Sequence, residues 1–83
     1  MEFSFKDIFI SRDLKFSVGL ESNSEKYYVS VLIPTDNRMS DYEIYYWLPK
    51  EYEEFIYSQP IKIFKFVQEC MKGFHKDKII NLD

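Results

Sequence analysis

The stretch Pro60–Phe74 constrains the fold more than any other part of this 83-residue chain. Set at about 100° per residue, Ile63, Phe64, Phe66, Val67, Cys70, Met71 and Phe74 fall on one side of a helix. Lys62, Lys65, Gln68, Glu69 and Lys72 fall on the other. Pro60 suits the first helical turn, where its missing N–H would have no partner. So wide an apolar face has to be covered, and the rest of the chain supplies a sheet to cover it.

Three segments carry the period of half-buried strands. In Leu14–Leu20, Leu14, Phe16, Val18 and Leu20 alternate with Lys15, Ser17 and Gly19. In Lys26–Ile33, Tyr27, Val29, Val31 and Ile33 share one face, and the β-branched and aromatic content favours strand. In Asp41–Leu48, Tyr42, Ile44, Tyr46 and Leu48 suit a core, leaving Asp41, Glu43, Tyr45 and Trp47 outward. Residues 2–10 are a weaker strand: Phe3, Phe5 and Phe9 share one parity, Asp7 breaks the row, and a helical turn around Lys6–Ile10 is the rival. Ser11–Asp13 and Glu21–Glu25 read as turns, and Pro34 ends its strand because it has no N–H for a ladder. Pro49 starts a short helix, Lys50–Tyr57, with Glu51, Glu53 and Glu54 in its first turns, where the helix dipole favours carboxylates. Gly73 either weakens or caps the last turn of the main helix, and Ile79, Ile80 and Leu82 form an apolar tail that docks on the domain. The expectation is a single α+β domain over 1–83. Its two layers are a three- or four-stranded antiparallel meander, then a short helix and a long C-terminal helix packed on one sheet face.

A chain of this length closes one small core. Aromatic residues make up 19% of it, and each ring buries a large apolar area, so the core closes without covalent staples. Cys70 is alone, which rules out an intrachain disulfide. There is no basic start followed by a long apolar run and no membrane-length apolar stretch, so a cytoplasmic location without membrane attachment is expected. The net charge of −3 is unevenly spread. Between Asp36 and Glu54 six acids face only Arg38 and Lys50, whereas five lysines face Glu69 and Asp77 between Pro60 and Lys78.

No catalytic set is legible. His75 reads as a solvated or capping side chain, and Cys70 sits on the inner face of the helix rather than in the electropositive setting of a nucleophile. Their spacing of five suits neither a shared metal nor a Cys–His pair. Asp41 and Glu43 share a strand face but lack further ligands. There is no glycine-rich phosphate loop, and an acidic chain repels nucleic acid. The chain is therefore expected to be no enzyme, with no cofactor, metal or nucleic-acid partner. Five of the seven tyrosines and the single Trp lie between Tyr42 and Tyr57. Tyr45 and Trp47 are candidate interface anchors, and Asp41, Glu43, Glu51 and Glu54 would steer a basic protein partner.

The runs Lys26–Pro34, Arg38–Tyr46, Tyr52–Phe55 and Phe66–Cys70 resemble small uncharacterised bacterial proteins of similar length. That resemblance covers about residues 14–80, and some small acidic chains of this kind are immunity proteins of polymorphic or contact-dependent toxin systems. That resemblance implies an inhibitor that neutralises a toxin domain, often a basic nuclease, by occupying its active surface. The alternative is a structural or self-associating homodimeric module without catalytic activity.

Overall fold

Two short hairpin loops set the register of the first three strands. In the computed structural model, which describes residues 2–33 and 42–81, Ser11 pairs with Phe16 and Glu21 with Lys26. The loops between them, Arg12–Lys15 and Ser22–Glu25, each end on a left-handed residue, Lys15 at φ 59° and Glu25 at φ 57°. Each also begins with a side chain that accepts from its own turn. Ser11 Oγ accepts the Leu14 N–H at 3.2 Å, and the Glu21 carboxylate accepts the N–H groups of Asn23 at 3.1 Å and Ser24 at 2.7 Å. The strands are β1 (Phe5–Ser11), β2 (Phe16–Glu21), β3 (Lys26–Ile33) and β4 (Tyr42–Trp47), antiparallel and in the order β1-β2-β3-β4. The expected loop at 35–40, and Asp41, lie outside the described residues.

The weak alternation of residues 2–10 has a structural cause. Asp7 lies opposite Gly19 and Phe9 opposite Val18, so Ile8 is an extra residue, a β-bulge. Residues of equal parity on either side of a bulge point to opposite faces. Phe9 therefore packs beside Phe16 in the core, with ring centroids 5.8 Å apart, whereas Phe5 lies over Tyr28 and Tyr45 on the other face.

One face of the sheet is covered. Phe16, Val18, Val29, Val31, Tyr46 and Leu48 meet Ile56, Ile63, Phe66, Val67 and Cys70 in a single buried cluster. The covering layer is a 3-10 turn (Lys50–Phe55), a second 3-10 turn (Pro60–Ile63) that runs directly into α1 (Phe64–Met71), and a last short turn (Lys76–Lys78). The short helix expected over Lys50–Tyr57 is thus a 3-10 segment. The long C-terminal helix is corrected as well: helical structure spans Pro60–Met71 and stops before Phe74. Gly73, at φ 94°, ends it. The Phe74 N–H bonds to Glu69 O and the Gly73 N–H to Cys70 O, both at 3.0 Å, which is a Schellman cap. Phe74 is consequently swung off the apolar stripe and stands 60% exposed. Tyr42, expected in the core, is half exposed as the first residue of β4.

Ile79 and Ile80 of the expected apolar tail dock on the β4 edge, and Leu82 lies outside the described residues. The Ile80 N–H bonds to Tyr45 O at 2.8 Å, Ile79 bridges Tyr46, and the Ile80 side chain is buried. This covers part of the β4 edge, whose main-chain groups would otherwise invite another strand. Among the described residues, no helix is long and apolar enough to cross a membrane.

Candidate binding surface on the open sheet face

The sheet face turned away from the helical layer is built in rungs. Asp7, Gly19, Tyr28 and Trp47 occupy one rung across all four strands, and Ser17, Ser30 and Tyr45 occupy the next. Tyr28, fully buried, reaches across β2 so that its hydroxyl donates to Asp7 Oδ1 on β1. Only glycine leaves room for that crossing. A Cβ at position 19 would stand 2.1 Å from Lys6 O and 2.7 Å from the Tyr28 hydroxyl. Burial raises the Tyr28 pKa well above the ordinary phenol range, and its bond to Asp7 raises it further, so the proton stays on the tyrosine. In parallel, Ser30 Oγ donates to Glu43 Oε2 at 2.5 Å.

The face divides into an aromatic half and a half of mixed polar and aliphatic side chains. In the aromatic half Phe3 stacks on Phe5 at 5.6 Å, Phe5 stacks on Tyr45 at 4.5 Å, and Phe3 sets its edge against Trp47 at 6.3 Å. Lys26 Nζ lies 5.4 Å from the centre of the Trp47 ring. In the mixed half a cavity of 180 Å³ is lined by Asp7, Ile10, Arg12, Ser30, Leu32 and Glu43, among others.

Glu21 ties the two hairpins together at the aromatic end. Its side chain is fully buried, and its carboxylate accepts the Ser4 N–H at 2.7 Å in addition to the two N–H groups of its own loop. The Ser4 bond, joined by those of Ser24 and Asn23, outweighs desolvation and holds the Glu21 pKa down at about 2.

Of the six candidate binding residues, the structure brings three together. Glu43, Tyr45 and Trp47 share the open face, with Tyr45 and Trp47 half-buried beneath Phe5 and Phe3. Glu51 and Glu54 belong to the helical layer instead, where they line a groove with Tyr52, Phe55, Lys62 and Lys65. Tyr52 faces Phe66 of the core at 5.5 Å, which fixes that segment on the covered side of the sheet. Asp41 lies outside the described residues. The sequence reading missed Phe3, Phe5, Asp7 and Tyr28, and Gly19 inside a strand was the available signal for a close approach over the sheet.

The other reactive groups lie apart from this face. Cys70 is buried in the core, and burial pushes its thiol up to about 12. His75 is half-buried rather than solvated: its ring lies 4.6 Å from Phe66 and its Nε2 donates to Glu69 Oε1 at 2.7 Å. Among the described residues no three His, Cys, Asp or Glu side chains are placed to hold a metal ion. Comparison of the chain with protein-family models, curated proteins and solved structures finds no match.

Proposed function

We propose that this protein is a non-catalytic, cytoplasmic protein-binding inhibitor that grips its partner with the open sheet face, as an immunity protein does a bacterial toxin. One observation carries the reading. The helical layer covers one sheet face only, and the other holds a ring cluster of Phe5, Tyr45 and Trp47 beside the carboxylates of Asp7 and Glu43. Rings of this kind supply large contact area at low entropic cost, which is why they anchor interfaces. The carboxylates favour a basic partner and disfavour a phosphate backbone on the same surface. Glu51 and Glu54 lie on the helical layer and so contribute only long-range attraction in this reading. The resemblance to small bacterial proteins, among which some acidic chains are immunity proteins, is what points to a toxin.

The test begins with a photocrosslinker at position 47, with Lys72 on the outer helix face as control, to capture the partner in the native host. Affinity is then measured for the purified pair. Trp47→Ala is expected to weaken binding by ~2 kcal/mol or more. Glu43→Lys is expected to slow association and change its salt dependence. Unchanged binding in both variants would remove this face from consideration. A stable dimer in sedimentation that shields Trp47 would replace inhibition by self-association as the function of the surface.

A further inference from the structure

The open face carries an occupant from its own chain. Glu2–Ser4 precedes β1 and runs over the aromatic half, laying the Phe3 ring between Phe5 and Trp47. Its polar anchors all come from the end of β2 and the loop after it. The Ser4 N–H bonds to Glu21 Oε2 at 2.7 Å, Ser4 O accepts from the Ser22 N–H at 2.9 Å and Ser22 Oγ at 3.3 Å, and Glu2 O accepts from Asn23 Nδ2 at 2.8 Å.

We propose that Glu2–Ser4 is an exchangeable strap over Trp47, and that the partner enters by replacing it with an extended segment bearing an aromatic or large apolar side chain. This rests on the open face being the binding surface. The strap's attachments are separate from the core: it precedes β1, its main-chain link to the sheet is the Ser22 N–H to Ser4 O bond at the end of the β1–β2 ladder, and it is not part of the buried cluster beneath the helices. Lifting it leaves β1 to β4 paired. Lifting it also strips one N–H from a buried carboxylate, which is unfavourable unless another donor arrives. The vacated place therefore selects a ligand that resembles what left it. That ligand has one main-chain N–H for Glu21, one carbonyl for Ser22, and a ring to fill the slot between Phe5 and Trp47.

Trp47 is the only tryptophan, so its fluorescence reports the strap directly in the full chain. Phe3→Ala is expected to shift Trp47 emission to the red and to raise its quenching by acrylamide, while the far-ultraviolet circular dichroism stays that of the native sheet. Native-state hydrogen exchange is expected to show the Ser4 amide opening faster than those of Val18 and Val29. Unchanged quenching in Phe3→Ala, or a Ser4 amide that exchanges only with Val18 and Val29, overturns the strap. Glu21→Gln provides a second variant, since a neutral amide turns one acceptor into a donor facing N–H groups. With a captured partner in hand, Phe3→Ala is expected to bind more tightly, and weaker binding overturns the exchange. A partner indifferent to Trp47→Ala would instead refute the surface itself and leave the strap standing.

Discussion

Gly19 and Glu21, two positions apart on β2, show how single residues decide what the sheet face becomes. Gly19 is needed for the space over it: Tyr28 crosses there to reach Asp7. Gly19→Ala is expected to destabilise the protein by ~2 kcal/mol or more, read as a lower urea midpoint, because the nearest obstacle is the Lys6 carbonyl, which cannot move without unpairing β1. Glu21 acts through charge. Its folded pKa, about 2, lies below the ordinary 4.5, so the folded state prefers the ionised form. Its stabilising contribution is complete above about pH 4.5 and is lost as pH falls toward 2. Urea midpoints measured down that range are expected to fall less steeply in Glu21→Gln than in the wild type. Neither role was legible beforehand. A lone glycine in a strand signals a close approach without naming the visitor, and Glu21 reads as one more polar residue in a turn.

Among the elements, the C-terminal helix and β1 departed furthest from their sequence patterns. Ile63, Phe66, Val67 and Cys70 of the apolar stripe are buried as the 3.6-residue period requires, Phe64 is half-buried, and Met71, expected on the same side, is exposed. The stripe nominally continues to Phe74, but the left-handed Gly73 turns the chain before it. Gly73→Ala is expected to cost about 1 kcal/mol, because an L-residue is strained at that φ, and thermal melting would report it. In β1 the period was misleading for another reason. Phe5 and Phe9 share a parity, and a bulge at Ile8 sends them to opposite faces. A bulge depends on what the neighbouring strand presents, so no pattern within residues 2–10 discloses it. The hairpin loops were readable because their turn chemistry is local: Ser11 and Glu21 accept from residues two or three positions on.

The whole molecule is a sheet with unequal sides, one sealed by helices and one faced with rings and carboxylates. The distribution of tyrosines adds a limit at high pH. Tyr28, Tyr45, Tyr46 and Tyr52 all have raised pKa values, with burial the leading cause in each. A group whose proton is held more tightly in the folded state contributes fully below its unfolded value of 10 and loses that contribution as pH climbs further. Stability is therefore expected to decline above about pH 10. Phenolate absorbance from these four rings should appear together with the loss of circular dichroism rather than ahead of it.

Alternation of apolar and polar residues, turn chemistry and one amphipathic stripe were enough to specify an antiparallel sheet with helices on one face. These signals act between residues close in the chain, and the order of residues records them directly. Which residues share the uncovered face was decided by tertiary structure alone. Phe3, Phe5, Asp7, Tyr28, Glu43 and Trp47 come from three strands and a segment ahead of them, brought to one surface by a register that a single bulge resets. Glu51 and Glu54, only a few positions beyond Trp47, were carried to the opposite layer by the turn at Pro49. Nearness along the chain sets period and turn. Nearness across the sheet depends on how strands slide past one another, and that is settled only when the core closes.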